Sequence, residues 1–209
     1  GTLKANDDIT LEIKKGEIHA LLGENGAGKS TIMSILFGLY QPDQGEIYIN
    51  DELVEIKNPN DANRLGIGMV HQHFKLVESF TVLDNIILGS EDTKNGFLVK
   101  SQAREKIEQL SRNYGLNIDP DAYIKDITVG QQQRVEIIKM LYRDSDILIF
   151  DEPTAVLTPQ EIRELIEIMK GFAREGKTII LITHKLNEIK EVADRCTILR
   201  RGKKIGTVN

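Results

Sequence analysis

Two rhythms of apolar and polar residues run along the chain. Ile18-His19-Ala20-Leu21-Leu22 is a mostly apolar run that ends at a glycine, and Leu11-Glu12-Ile13 before it alternates as a half-buried strand does. From Ser30 to Leu39 the apolar residues Ile32, Met33, Ile35, Leu36 and Leu39 recur at helical spacing, until Pro42-Asp43-Gln44-Gly45 breaks the pattern. Gly45 to Ile56 predicts two short strands around Asn50-Asp51, an antiparallel hairpin. Helical periodicity then dominates over Thr81 to Leu88, Ser101 to Tyr114 and Val129 to Tyr142, with loops at Gly96 and Asp119-Pro120.

Beyond residue 145 the texture changes back. Asp146-Ile147-Leu148-Ile149-Phe150 and Thr178-Ile179-Ile180-Leu181-Ile182 are continuous and rich in β-branched residues, the composition of strands covered on both faces of a parallel sheet. Pro159 to Glu175 between them is amphipathic, as a helical crossover between parallel strands requires. The expectation is a mixed α/β core built from both ends of the chain, about 1–73 and 144–209, with a helical subdomain inserted at about 74–143.

Composition narrows the function classes. The 209 residues suffice for a substantial core, and the formal net charge of -5 without a long basic run argues against nucleic acid as a partner. Arg200-Arg201 and Lys203-Lys204 read as a solvated charged turn around Gly202. The single cysteine, Cys196, leaves no internal disulfide and suits a packed strand in a reducing compartment. No signal peptide is visible, and the longest apolar runs fall far short of the roughly 20 residues that span a bilayer. A cytosolic domain that borrows any membrane role from a partner is expected.

Gly23-Glu24-Asn25-Gly26-Ala27-Gly28-Lys29-Ser30 matches the phosphate-binding pattern G-x-x-x-x-G-K-[ST], placed after an expected strand and before an expected helix. Glycines let successive N–H groups converge on one phosphate chain, and the helix adds its positive end. Lys29 can reach the β- and γ-phosphates, and the Ser30 hydroxyl can ligate Mg2+; Thr31 completes the stretch. The apolar run ending at Phe150 is followed by Asp151 and Glu152. A carboxylate there stands at the edge where open α/β sheets bind ligands. Asp151 suits the metal, through water, and Glu152 suits polarising an attacking water.

Thr128-Val129-Gly130-Gln131-Gln132-Gln133-Arg134, at the start of an expected helix, resembles the signature of the ATP-binding cassette (ABC) family, Leu-Ser-Gly-Gly-Gln followed by a glutamine-arginine stretch. Ile127, Thr128 and Val129 replace its leucine, serine and first glycine, while Gly130 and Gln131 match. Gln72 matches the family's glutamine between core and helical lobe, which senses metal and membrane partner. His184 matches its γ-phosphate histidine. The resemblance covers essentially the whole chain and implies a P-loop NTPase fold of the ABC type. It implies Glu152, His184 and Gln72 as catalytic residues, Gly23 to Thr31 as the nucleotide site, and Ser30, Asp151 and Gln72 around Mg2+. It implies that Thr128, Val129, Gly130 and Gln131 face ATP held by a second cassette. ATP and Mg2+ follow as cofactors, and permease subunits, with a substrate-binding protein behind them, as partners at the cytoplasmic face of a membrane.

The chain also departs from the family pattern. No Tyr, Phe or Trp precedes Phe37, where the family stacks an aromatic on adenine, and Gly1-Thr2 reads as mid-domain sequence. Ala155-Val156-Leu157-Thr158 stands where the family has Ser-Ala-Leu-Asp. The stretches around Gly23, Met69 to Phe74 and Glu152 to Pro159 look most like the first cassette of tandem sugar and nucleoside importer ATPases. Two alternatives stand beside that reading: a cassette ATPase without a transport role, and a regulatory module that binds nucleotide without hydrolysing it. His71 and His73 read as loop residues, and His19 as structural.

Overall fold

The computed structural model describes residues 4–90, 93–94, 97–98 and 100–209. Gly1, Thr2 and the expected loop residue Gly96 lie outside the described residues. The architecture is α/β. Strands β1 (Ile18–Leu22), β4 (Ile67–Val70), β7 (Ile147–Asp151), β8 (Thr178–Thr183), β9 (Arg195–Arg200) and β10 (Lys203–Val208) form one sheet. Its spatial order is β10, β9, β1, β8, β7, β4, and only the β10–β9 pair is antiparallel.

The β-branched runs become the sheet's centre for the reason their composition suggests. Every residue of β8 is buried, and its alternate side chains feed two separate cores. Ile179 and Leu181, with Leu148 and Phe150 of β7, face the helical side. There they meet α5 (Val129–Tyr142) and α6 (Pro159–Arg174). Ile180 and Ile182, with Ile149, face the other way, toward Met33 of α1 (Lys29–Leu36) and Ala62 of α2 (Pro59–Arg64). The hairpin β2 (Ile47–Ile49) and β3 (Glu52–Val54) packs against this second core. Asn50 and Asp51 at its tip have φ of 52° and 66°, the left-handed pair that a two-residue hairpin turn demands.

Capping sets the ends of the crossover and signature helices. Thr158 accepts from the Glu161 N–H while the Glu161 carboxylate accepts from Thr158 N–H, and Pro159 occupies the first turn, where its missing N–H costs nothing. Thr128 and Gln131 make the same reciprocal pair at the start of α5. Helix α5 packs against both α3 (Val82–Ile87) and α4 (Lys100–Asn113), and the short hairpin β5 (Thr93–Lys94) and β6 (Phe97–Leu98) joins those two. Helix α7 (Leu186–Val192) follows β8.

One expected strand is absent. Leu11 and Ile13 are half-buried against the second core and Glu12 is exposed, so the alternation is real. Among the described residues no ladder partner pairs with them, so the segment forms no strand. The turn at Arg201-Gly202, with φ of 50° and 72°, joins β9 to β10 as the charged-turn reading expected.

Helix α5 carries a buried charge. Glu136 is 3% exposed, and its carboxylate accepts from the Lys75 N–H at 2.8 Å. Burial pushes the Glu136 carboxyl above its ordinary 4.5, and Lys139, the Lys75 N–H and nearby cations pull it only partway back. A raised folded-state pKa means that the native state holds this proton more tightly than the unfolded chain does. The ionised side chain therefore costs stability above its folded pKa, and the cost vanishes as pH falls to 4.5. Glu136→Gln, which cannot ionise, is expected to raise the thermal midpoint at neutral pH. That gain should shrink steadily in midpoints measured at pH values approaching 4.5.

Candidate functional site

Strand register brings the candidate residues to one edge. Leu22 pairs with Thr183 across β1 and β8, Asp151 with Ile182 across β7 and β8, and Val70 with Phe150 across β4 and β7. Parallel strands end together, so the segments that follow all four open on the same rim of the sheet. Those segments are the glycine-rich loop, the His184 turn, the Glu152 turn and the Gln72 loop. Residues 25–31 line a cleft of about 360 Å³ together with Gln72, Glu152, Ala155 and His184. That volume lies within the range of roughly 300–1,000 Å³ common to small-ligand pockets.

The loop holds its shape by close packing. Gly28 stands at φ 98°, capping α1, and a Cβ there would collide with the Asn6 amide and approach the Ala5 carbonyl at 2.6 Å. Asn6 Nδ2 donates to the Gly28 carbonyl at 3.1 Å, tying the N-terminal segment to the loop. The Lys29 side chain is 6% exposed, and its ammonium donates to the Gly23 and Glu24 carbonyls at 2.7 and 3.2 Å, spanning the loop from inside. Sequence reading missed Asn6 because nothing in a polar residue far upstream marks a neighbour of Gly28.

Glu152 is held in an uncommon conformation. Its φ is 47°, a left-handed geometry costing a non-glycine residue about 1–3 kcal/mol. The bond from its N–H to the Ile182 carbonyl, 2.9 Å, retains that geometry. His184 Nδ1 lies 3.0 Å from both Glu152 carboxylate oxygens and donates to Oε1. Lys185, next to the histidine, donates to the Thr154 carbonyl and hydroxyl at 3.2 and 3.0 Å, so the two turns are tied twice.

Ser30 Oγ donates to Asp151 Oδ1 at 3.4 Å. Burial and the adjacent Glu152 carboxylate push Asp151 up, while the Ser30 hydroxyl and the Lys29 ammonium pull it partway back. The Ser30 hydroxyl and an Asp151 carboxylate without a cationic partner in contact among the described residues form a sparse, all-oxygen donor set. That fits Mg2+, which keeps most of its own waters and asks few ligands of a protein.

Thr128, Val129, Gly130 and Gln131 do not line this cleft. Thr128 and Val129 are exposed at the start of α5. Gly130 is buried against α6, where a Cβ would meet the Glu161 carboxylate that caps that helix and displace it. His71 packs edge-on against Phe37, with ring centroids 5.7 Å apart, and His19 lies buried between Glu17 and Thr197.

The family profile described as ABC transporter matches residues 6–155. The chain belongs to the ABC transporter family. This ABC chain is 64% identical over 208 residues to the nucleoside import ATP-binding protein NupA of Lactococcus lactis, covering 100% of itself and 41% of that protein. It is 62% identical over 205 residues to the guanosine import ATP-binding protein NupO of Bacillus subtilis, covering 98% of itself and 40% of that protein. It thus spans about two fifths of the curated relatives' length. A nucleotide-free ATP-binding cassette from an ABC transporter shares its fold with a TM-score of 0.89 at 23% identity, covering 99% of this chain and 86% of the other.

Gly28→Ala tests the loop packing. Both the strained φ and the collision with Asn6 and Ala5 oppose it, so a loss of about 1–3 kcal/mol is expected from urea unfolding. Gly26→Ala, where a Cβ meets nothing within 4 Å, should keep only the cost of its φ of 80° and lose less.

Proposed function

We propose that this chain binds and hydrolyses ATP to drive a membrane importer of nucleosides or sugars, nucleosides being favoured by the two relatives. One observation carries the hydrolytic reading. The glycine-rich loop, Gln72, Glu152 and His184 arrive on one cleft from adjacent strand ends, and Asp151 meets the loop through Ser30. Together they make up the groups a phosphoryl transfer needs.

The loop's N–H groups and the helix end bind the phosphates, with Lys29 adding a positive charge to them. Ser30 and Asp151, with Gln72 beside them, would hold Mg2+, which supplies charge neutralisation on the phosphates. Glu152 takes the part of base, polarising the attacking water. His184, donating from Nδ1, keeps the Glu152 carboxylate turned toward the cleft. The left-handed backbone of Glu152 serves the same end, because it swings the side chain off the line of β7.

The signature residues belong to a second site. Thr128 and Val129 stand exposed and away from this chain's own cleft, which supports their meeting ATP on another ABC cassette. That cassette, permease subunits and a substrate-binding protein are the proposed partners, at the cytoplasmic face of a membrane. The division into a core of about 1–73 and 144–209 and a helical lobe of about 74–143 is part of the same proposal. Packing of α3 and α4 on α5 supports it.

Glu152→Gln keeps the shape of the side chain and removes its basicity. Turnover should fall by at least about a hundredfold, the scale of a lost general base, with ATP affinity retained. Wild-type rates in this variant, measured by phosphate release, would reject Glu152 as the base. Lys29→Ala should instead weaken ATP-Mg2+ binding by roughly tenfold or more, as loss of a charge-assisted contact implies. An unchanged Kd by titration calorimetry would place the nucleotide elsewhere.

A further inference from the structure

Two buried polar side chains on α5 reach the two catalytic segments from behind. Gln133 and Glu136 are each 3% exposed and stand three residues apart, hence on one face of the helix. Gln133 Nε2 donates to the Pro153 carbonyl at 2.7 Å, one residue past Glu152. Glu136 accepts from the Lys75 N–H at 2.8 Å, three residues past Gln72. One turn further, Lys139 reaches the Lys75 carbonyl at 3.5 Å. Among the described residues, neither Gln133 nor Glu136 hydrogen-bonds to the phosphate loop. Each contact joins a buried polar side chain to a backbone group, so losing it strands a polar atom away from water.

We propose that Gln133 and Glu136 are positioning residues that make α5 one strut, holding the Gln72 loop and the Glu152 turn at a fixed separation. The inference rests on the hydrolytic reading above for its effect on rate. The phosphate loop is braced instead by Lys29 and Asn6, so nucleotide affinity does not depend on the strut. Glu136 is placed to act through its acceptor oxygen, and a glutamine in its place retains one. A helix contacting both segments also makes the two bonds interdependent, because release at either end frees the rod to shift.

The test combines steady-state kinetics with amide hydrogen exchange. Glu136→Ala and Gln133→Ala should each lower kcat by about tenfold or more while KM for ATP stays within about threefold. Glu136→Gln should recover most of the rate. The double alanine variant should fall no more than about threefold below the worse single, as expected of residues acting as a unit. Normal kcat in either alanine variant, a loss confined to KM, no rescue by glutamine, or fully multiplicative losses would each overturn the strut. Exchange needs no turnover and separates this inference from the hydrolytic one. Glu136→Ala should speed exchange at Lys75 and, across the helix, at Ala155, whose N–H bonds to the Glu152 carbonyl at 3.3 Å. Gln133→Ala should reciprocally speed Lys75. Changes confined to each residue's own contact reject the strut even where the wild type hydrolyses ATP. If Glu136→Ala fails to fold, Gln133→Ala still delivers both readouts, its loss of kcat and the faster exchange at Lys75, with Glu136→Gln as the variant expected to stay near wild type in both. A wild type that does not hydrolyse ATP, with the remote exchange effects intact, would reject the hydrolytic reading alone.

Discussion

Parallel pairing of β1, β8, β7 and β4 places the ends of four strands on one rim, and the functional geometry hangs on that register. A shift of one residue between β7 and β8 would turn Leu148 and Phe150 out of one core and Ile149 into it. The two apolar cores on opposite faces therefore hold the register, and the register holds Glu152 beside His184. Hydrophobic packing thus sets the distance between Glu152 and His184.

The rim is assembled under local strain and local charge imbalance. Glu152 takes a left-handed backbone, Gly28 sits where no side chain fits, and Asp151 is pushed toward its acid form by burial and by Glu152. Each of these costs stability if considered alone. Their concentration within a few ångströms of one cleft accords with a site shaped to receive anionic phosphates and a cation. His19, buried away from the rim, is instead satisfied on both ring nitrogens by Glu17 and Thr197.

Much of this was legible in the residues themselves. The β-branched runs at 147–150 and 178–182 became β7 and β8, and the helix expected at Val129 to Tyr142 has those bounds. Continuous apolar runs and capping pairs such as Thr158 with Glu161 are local signals, needing no distant partner. Leu11-Glu12-Ile13 misled because alternation records burial on one side, whereas a strand also needs a neighbour for its backbone. The family resemblance rested on motif order along the chain, and the match over residues 6–155 agrees with it.

The sequence by itself determined which chemical groups are present and, through periodicity and glycine placement, the strand-turn-helix unit around Lys29. Only the tertiary structure decided which distant segments share a cleft. It put Gln72 and His184 with the phosphate loop, left Thr128 and Val129 outside it, and set Asn6 against Gly28. It also buried Gly130 against the Glu161 carboxylate, a contact that no motif discloses. The physical reason is range. Propensity and capping act over a few residues, whereas strand register and the burial of Gln133 and Glu136 depend on chain segments far apart in sequence, whose positions are set only when the cores close.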